Sequence, residues 1–597
     1  MKLSVLALDY DGTIAREDQV PSSVRTAIAE IRASGTTVLL VTGRILSELR
    51  RVAGDLRFVD GVVAENGAVV HFPGSDHTTV LAPTMPDSFV EAISQLGLVF
   101  QSGHCLVDAH ADDSARLLGA IRALELPLVL AFNRSRVMVL PQGVSKATGL
   151  HTVLDMLRQS ARNTLAIGDA ENDHELLRLA EVGVAVEWGS GALQAAADLI
   201  VAGAGPAQVA EFIAPLAVTR ALPQPARARR RLRLGYGEDG GEFSLAVRGR
   251  NILVAGDANS GKSWVAGLLC EQLILHGYCV CVLDPEGDYR SLEALPGVSV
   301  MGGDDAPPTP RQLLRALRYP DRSVVIDLSR LPQDEKIEYA RAMLPSLNEI
   351  RRRTGLPHRI VIDEAHYFLH DDDAPRLLDF GLNGYIVATY WASRLPKELL
   401  AATEVMIVTR ESDPAEVEAL CRRCAGCAQV DAGAWRIQLG RLPIGQAVAL
   451  PITEEAGGVV RRFTLGRRLT PHVRHREKYV DVPVAVPRAF VFAPREGGPP
   501  RRARTLREFV AQIRRAPLGE LTAYMLRGDF SRWIGDVFGD HALASELAAL
   551  EARYRRGRQP DVVPEVVATI QRRYDLTNDD GPPTSLEDTR AEGHGSV

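Results

Sequence analysis

Asp9 and Asp11 stand two residues apart, directly after the apolar run Val5–Leu8 and before Gly12 and Thr13. A strand that ends in a turn at this point carries both carboxylates towards one pocket. One can act as a nucleophile on phosphorus. The other can protonate the leaving oxygen and then deprotonate water, a division of roles that needs carboxylates in distinguishable environments. A second acidic group, Asp169 and Asp173 within GDAEND at 168–173, also follows a predicted strand and offers hard oxygen ligands suited to Mg²⁺. Between these segments lie Thr42 in LLVTGR and Lys146 in PQGVSK, which can hold a transferring phosphoryl group by hydroxyl and by charge. An acidic turn alone reads as a solvated loop, and Asp169 with Asp173 alone reads as an acidic helix N-terminus. All of these segments in one stretch point to phosphoryl chemistry.

A separate phosphate-handling signal follows. GDANSGKS at 256–263 fits G-x-x-x-x-G-K-[ST], a loop whose backbone N–H groups surround phosphates. It follows the apolar run 251–255 and precedes a helical pattern over 263–275. Lys262 is expected on the β- and γ-phosphates of ATP and Ser263 on Mg²⁺; Gly256 and Gly261 permit the tight backbone path, with Asn259 and Ser260 completing the loop. Two later strands end in acid: SVVIDLSRL, with Asp327, and RIVIDEAHYFL, with Asp363 and Glu364. The second is the preferred partner of the loop. Asp363 can then enter the Mg²⁺ shell, and Glu364 can polarise the attacking water. Asp327 reads as a strand-end cap and His366 as a coupling or packing residue.

The elements that must position these residues are α/β. Residues 1–215 alternate short apolar runs with helical segments such as 21–34, so a mostly parallel sheet covered by helices is expected, with a small inserted cap at about 82–140. Residues 216–239 are rich in Arg and Pro and read as a basic linker. The α/β pattern restarts over 240–450, with strands expected at 251–255, 279–283, 323–327, 359–363, 385–389 and 405–409 and a long helix at 334–352. A basic, β-prone connector at 451–500, a helical domain at 501–572 and a polar tail at 573–597 complete the expected multidomain order.

Bulk properties narrow the function class. The 597 residues exceed the span over which one hydrophobic core usually grows. A formal net charge of -6 gives no global attraction to nucleic acid, and seven cysteines in a chain of this length do not form a disulfide scaffold, which points to the cytoplasm. MKLSVLAL runs straight into Asp9, so no signal peptide is expected, and no run is long and apolar enough for a membrane span.

The first set of segments resembles the haloacid dehalogenase-like (HAD) phosphatase superfamily, whose four short motifs occur here in the family order. The resemblance implies a Rossmannoid core, with Asp9 as the phosphorylated nucleophile and Asp11 as general acid/base. It also implies that Thr42 and Lys146 steady the phosphoryl group, and that Mg²⁺ is held by Asp9, Asp169, Asp173 and the backbone carbonyl of Asp11. AENGA at 64–68 is similar to the Cof/sugar-phosphatase-like branch, which has a mixed α/β cap. That branch includes sugar-phosphate and phosphoglycolate phosphatases. Residues 240–445 resemble the HerA/FtsK-like P-loop ATPases, on LDPEGDY at 283–289, VIDEAH and IVATYWASRLPKEL at 386–399. That likeness implies a RecA-like domain, ATP at subunit boundaries of a homo-oligomer, and duplex DNA as the usual family substrate. Tyr390 stands where the family often has a polar residue after the strand-end threonine. Arg394 and Arg410 are the candidates for an arginine that reaches a neighbouring subunit.

Other segments carry less. Cys421, Cys424 and Cys427 have zinc-like spacing without a matched fourth ligand and read as incidental thiols. His472, His475 and Lys478 lie in an Arg-rich stretch that suits either a phosphate or a solvated basic hairpin. Asp529, Arg532 and Trp533 read as helix capping and packing. The functional expectation is a Mg²⁺-dependent phosphomonoester hydrolase fused to an ATPase that regulates or assembles it. The alternatives are a DNA-associated translocase with an accessory phosphatase, and an ATP-gated scaffold.

Overall fold

The computed structural model describes residues 1–225, 229–247, 250–258, 260–369, 374–422, 437–451, 460–471, 484, 489–493, 500–538, 540–557 and 562–574. The chain divides into two compact units, one of 1–256 with 260–472, the other of 473–597 with 257–259. The tail expected at 573–597 lies outside the described residues from 575 onwards, as do Cys424, Cys427, His472, His475 and Lys478.

The first unit holds two large sheets. In the first, β1 (Val5–Asp9), β2 (Thr37–Val41), β3 (Gly61–Ala64), β4 (Val69–Phe72) and β5 (His77–Val80) run outward on one side. The small cap sheet contains β6 (Phe100–Ser102), β7 (Val107–His110), β8 (Leu128–Asn133) and β9 (Arg136–Pro141). The chain then returns to the first sheet as β10 (Thr164–Gly168), β11 (Val182–Val186) and β12 (Leu199–Val201). The order is β12-β11-β10-β1-β2-β3-β4-β5, so β1 is central, parallel to both neighbours and buried along its whole length. Near-continuous apolar runs such as VLALD and TLAIG suit strands covered on both faces. The cap sheet is antiparallel in the order β6-β7-β9-β8, with a separate core from Phe89, Ile93, Leu117, Val137 and Val139.

The second sheet contains β13 (Arg231–Gly237), β14 (Glu242–Ala246), β15 (Ile252–Ala255), β16 (Val280–Asp284), β17 (Val298–Gly302), β18 (Ser323–Asp327), β19 (Arg359–Ile362), β20 (Tyr385–Thr389), β21 (Val405–Val408), β22 (Gln446–Pro451) and β23 (Arg461–Leu465). Its order is β14-β13-β23-β22-β21-β15-β20-β19-β16-β18-β17. The run from β21 to β17 is parallel, and β22, β23, β13 and β14 extend it antiparallel.

Two expected boundaries are corrected. The basic linker at 216–239 is structured where it is described at its end. Arg231–Gly237 pairs with β14 and β23. The Arg229 guanidinium bonds the carbonyls of Leu177 (2.9 Å) and Ala180 (3.2 Å), and that of Arg230 bonds the carbonyls of Arg178 (2.8 Å) and Ala180 (2.9 Å). These arginines close the C-terminus of helix His174–Leu179, where unpaired carbonyls and the helix dipole favour cations. The connector expected from 451 also gives up Arg461–Leu465 to the second sheet, and Arg468 pairs with buried Glu271 at 2.9 Å.

The two sheets of this unit share a buried joint. Glu181, which precedes β11, accepts from the Tyr278 hydroxyl at 2.9 and 3.0 Å and pairs with Arg162 at 3.4 Å and Arg230 at 3.3 Å. The Lys2 ammonium bonds the carbonyl of Arg352 at 3.0 Å and also that of Arg353, capping the C-terminus of helix Gln333–Thr354 from the other sheet's domain.

The second unit is mainly helical, with Leu506–Arg515, Leu518–Arg527, Asp529–Phe538, His541–Gly557 and Val562–Tyr574. Phe490, Phe509, Tyr524, Phe530 and Trp533 pack its core, with Phe509 and Trp533 ring centroids 4.6 Å apart. Trp533 is a core residue here, and Asp529 pairs with Arg527.

Glu181→Ala should leave two arginines and a tyrosine hydroxyl without their common partner, at a cost of about 3 kcal/mol. Calorimetry should show the first unit's transition moving down, and less so for Glu181→Gln. An unchanged midpoint for Glu181→Ala contradicts this account of the joint.

Candidate functional site

The first site forms where β1 and β10 end side by side. Leu8 pairs with Ile167, so Asp9 and Asp169 leave the sheet at neighbouring points. The turn Glu171–Asp173 then folds back, and the Asp173 carboxylate accepts the backbone N–H of Asp169 (3.0 Å) and Ala170 (3.1 Å). Lys146 opens helix Lys146–Leu157, whose first turn is fixed by reciprocal capping between Ser145 and Thr148. Its ammonium donates to Asp9 Oδ1 at 2.6 Å and Asp173 Oδ1 at 2.7 Å. Asp9, Lys146, Asp169 and Asp173 are all buried. Oxygens of Asp9, Asp169 and Asp173 lie within 4.8 Å of one another, the one such group of potential metal ligands among the described residues.

Burial raises the Asp9 carboxyl well above its ordinary range, and the charges of Asp173 and Asp169 add to this against the opposing pull of Lys146. Burial, then Asp173, pushes Asp169 up to about 6. Burial alone lowers the Lys146 ammonium, but Asp173 and Asp9 outweigh it, and the net direction is up. Three buried carboxylates, against the Lys146 ammonium and the partly exposed Arg134 guanidinium, leave an excess of negative charge. A hard divalent cation is the complement that such an oxygen set fits, and its binding displaces the protons that burial favours.

Thr42 follows Val41, the residue paired with Asp9, and is buried. Asp11 is not in the cluster. Its carboxylate is gripped by Arg44, Nε to Oδ2 at 2.7 Å and Nη2 to Oδ1 at 2.6 Å, and Arg44 also pairs with Asp18. Gly12 has φ +74°, and a Cβ there would overlap the Asp169 carboxylate, so the turn requires glycine. Sequence reasoning missed Arg44, although it sits in the same VTGR segment as Thr42. It also missed Arg134, at the cap turn between β8 and β9, which ion-pairs with Asp169. Only the three-dimensional closure of the cap reveals that contact.

The second site lies at the ends of β15, β20 and β19. β20 separates the P-loop strand β15 from β19, and Asp363 and Glu364 directly follow β19. Both are buried, and Glu364 adopts φ 45°, ψ 45°, a left-handed conformation uncommon outside glycine. The His366 ring bonds Thr389 Oγ1 at 3.1 Å and lies 4.2 Å from the Tyr390 ring, which in turn lies 5.8 Å from Lys262 Nζ. Ser260 and Thr409 share a 2.6 Å hydroxyl contact. Ser263 donates to Asp288 at 2.8 Å, a partner that sequence reasoning left unassigned within LDPEGDY. Asp284 organises that turn by accepting backbone N–H bonds from Glu286, Gly287, Asp288 and Tyr289, and burial with the Asp288 charge pushes it up to about 7.

Asp327 ends β18, with β16, β19 and β20 between it and β15, and it pairs with Arg290 and caps Ser329 N–H at 2.9 Å. Asn259 lies outside the described residues. Arg410 follows β21, directly beside the P-loop strand of its own chain, whereas Arg394 is exposed and stacks on Trp391 at 3.5 Å.

A Rossmannoid sheet ending in a buried aspartate cluster, joined to a parallel P-loop sheet, defines a two-domain phosphate-handling enzyme. Comparison with known proteins agrees. A family model described as haloacid dehalogenase-like hydrolase matches residues 6–115 and 101–213, and one described as Helicase HerA, central domain, matches 247–345. Phosphoglycolate phosphatase of Natronomonas pharaonis is 30% identical over 206 residues, 33% of this chain and 89% of that protein. Phosphoglycolate phosphatase of Halorubrum lacusprofundi is 31% identical over 209 residues, 33% of this chain and 90% of that protein. That of Archaeoglobus fulgidus is 29% identical over 209 residues, 33% and 90% respectively. The chain belongs to the haloacid dehalogenase-like hydrolase family through its N-terminal third, and it carries a HerA-like P-loop ATPase domain after it. Among the described residues, no helix is long and apolar enough to cross a membrane.

Gly256 has φ +147°, and a Cβ there would overlap Thr409 Oγ1 and approach Ser260 Oγ to 2.9 Å. Gly256→Ala should therefore weaken ATP binding by ~10-fold or more, about 1.4 kcal/mol, while metal binding at the first site is unchanged. Titration with a fluorescent ATP analogue checks this, and wild-type affinity contradicts it.

Proposed function

We propose that the N-terminal domain is a Mg²⁺-dependent phosphomonoester hydrolase that works through a phosphoaspartate at Asp9, and that the P-loop domain hydrolyses ATP to regulate or assemble it. The observation that carries the first part is the buried group of Asp9, Asp169 and Asp173 around Lys146. Asp9, Asp169 and Asp173, with the backbone carbonyl of Asp11, would hold Mg²⁺. When bound, that ion neutralises the oxygens of the transferring phosphoryl group. Asp9 attacks phosphorus, and its Oδ–P bond forms as the ester P–O bond breaks. Asp11 delivers a proton to the departing oxygen, then takes one from the water that attacks the phosphoaspartate, releasing inorganic phosphate and restoring Asp9. Thr42 and Lys146 steady the phosphoryl oxygens. The bidentate grip of Arg44 holds Asp11 aside, so substrate entry has to free Asp11 for its proton transfers. The substrate class is a small phosphomonoester of phosphoglycolate or sugar-phosphate type. The phosphoglycolate phosphatases similar to this domain support that choice.

At the second site, Gly256, Asn259, Ser260, Gly261 and Lys262 bind the ATP phosphates, Ser263 and Asp363 would hold its Mg²⁺, and Glu364 polarises the attacking water. The strand order supports Asp363 over Asp327, because one strand, β20, lies between β19 and the P-loop strand and three lie between β18 and it. We further propose an ATP-favoured homo-oligomer in which exposed Arg394, not Arg410, reaches a neighbour's nucleotide. The match to a HerA central domain favours a second reading, in which the ATPase works on DNA. DNA-stimulated, salt-sensitive ATP hydrolysis would select that reading.

A screen of phosphometabolites, with and without ATP, tests the first part. Asp9→Asn should lose at least ~1000-fold in phosphatase kcat and keep its ATPase rate. Glu364→Gln should show the converse, holding ATP while hydrolysis falls at least ~100-fold. Phosphatase turnover near wild type in Asp9→Asn, or normal ATP turnover in Glu364→Gln, refutes the corresponding assignment.

A further inference from the structure

We infer that Arg134 of the cap recognises a second negative group on the substrate, so that the site selects small phosphomonoesters whose far end carries a carboxylate. The inference rests on the phosphatase reading of the Asp9 cluster and names what that site selects. Arg134 stands in the turn between β8 and β9 with φ 53°. Its backbone N–H donates to Glu171 Oε2 at 3.3 Å, which fastens the cap turn to the same loop that carries Asp169 and Asp173. Its guanidinium pairs with Asp169, and Nη2 lies 3.0 Å from where a Cβ of Gly12 would stand. The cap thus lays a guanidinium over the turn that follows Asp9.

The other cations at this site are committed elsewhere. Lys146 is shared by Asp9 and Asp173. Arg44 is held by Asp11, Asp18 and Glu48. Arg136, two residues along the same hairpin, is tied to Asp108 within the cap sheet. Arg134 differs from these in being 56% exposed and in having as its ion-pair partner a residue that would serve as a metal ligand. Whatever cation neutralises Asp169 takes that partner away, and the guanidinium is then left facing the pocket. A planar fork of N–H donors matches a carboxylate in bidentate fashion.

The rest of the cleft suits a short substrate. Met138 of the cap and Asn172 of the core approach the position of a Gly43 Cβ to 3.1 and 3.5 Å. Asn172 donates to Asn66 at 3.2 Å and leaves its own Oδ1 buried without a partner, an acceptor suited to a substrate hydroxyl.

The test compares 2-phosphoglycolate with 2-hydroxyethyl phosphate, which has the same length but a neutral end, on the full chain with Mg²⁺. Wild type should prefer 2-phosphoglycolate in kcat/KM. At saturating Mg²⁺, Arg134→Gln should raise KM for 2-phosphoglycolate by ~10- to 100-fold, change that for 2-hydroxyethyl phosphate far less, and so erase the preference. Arg134→Lys, which keeps the charge and loses the fork, should fall between. A readout independent of turnover is Mn²⁺ binding followed by electron paramagnetic resonance: Arg134→Gln should bind Mn²⁺ several-fold tighter, because a competing cation has gone. Wild type that hydrolyses both esters equally, or a preference that survives in Arg134→Gln, overturns the role of Arg134 and leaves the phosphatase reading intact. Wild type that hydrolyses neither these nor any other phosphomonoester overturns both.

Discussion

A buried lysine shared between two buried carboxylates is the constraint on which the N-terminal domain depends. Asp9, Lys146 and Asp173 come from a strand end, a helix start and a turn that are far apart in sequence, yet they meet within 2.7 Å contacts. Removing one member of such a group leaves an uncompensated buried charge, at a cost of about 3–5 kcal/mol. The geometry of the sheet follows from this. β1 and β10 must lie side by side in a register that brings Asp9 next to Asp169. Helix Lys146–Leu157 must begin at that level, and the Ser145–Thr148 capping pair sets its first turn there. The same excess of carboxylate over ammonium makes the pocket a candidate cation site, so the element that organises the fold also carries its candidate chemistry.

The P-loop domain is joined to the first through charge. Helix His174–Leu179 starts at Asp173, and the chain passes from it to Glu181. Glu181 accepts the hydroxyl of Tyr278, which leads into β16, and β16 ends in Asp284, the residue that shapes the turn carrying Asp288 beside Ser263. A continuous route of chain and hydrogen bonds therefore runs from Asp173 through Glu181 and Tyr278 to Asp284 and Asp288. Arg162 and Arg230 complete the joint from the side of the first sheet, and Lys2 closes the helix end of the second.

Much of this was legible because the chemistry sits where apolar runs stop. Asp9, Asp169 and Asp363 each follow a run that can only be a covered strand, and the strands observed at Ser323–Asp327 and Tyr385–Thr389 have the expected bounds. What the linear order does not carry is which strands become neighbours. Asp327 and Asp363 look alike in sequence, and only the strand order separates them: β19 stands next to β20 on the P-loop side, whereas β16 and β19 stand between β18 and β20. Side-chain diversion is equally hidden: Asp11 and Arg44 find each other across the strand ends, and Arg134 reaches Asp169 only once the cap has folded. The arginines before β13 read as a solvated linker because charge usually faces water. Here carbonyls at a helix end, together with Glu181 and Asp198, supply the partners that let Arg229 and Arg230 pack.

The central claim is that Asp9 itself carries the phosphoryl group. The most direct measurement is rapid acid quench of the full chain during turnover of a ³²P-labelled phosphomonoester substrate, followed by peptide mapping. The account predicts a transient label on the peptide containing Asp9, stable in acid, removed by hydroxylamine as an acyl phosphate is, and absent in Asp9→Asn. Turnover with no label on that peptide at any quench time, under conditions where phosphoaspartate breakdown limits the rate, would contradict it.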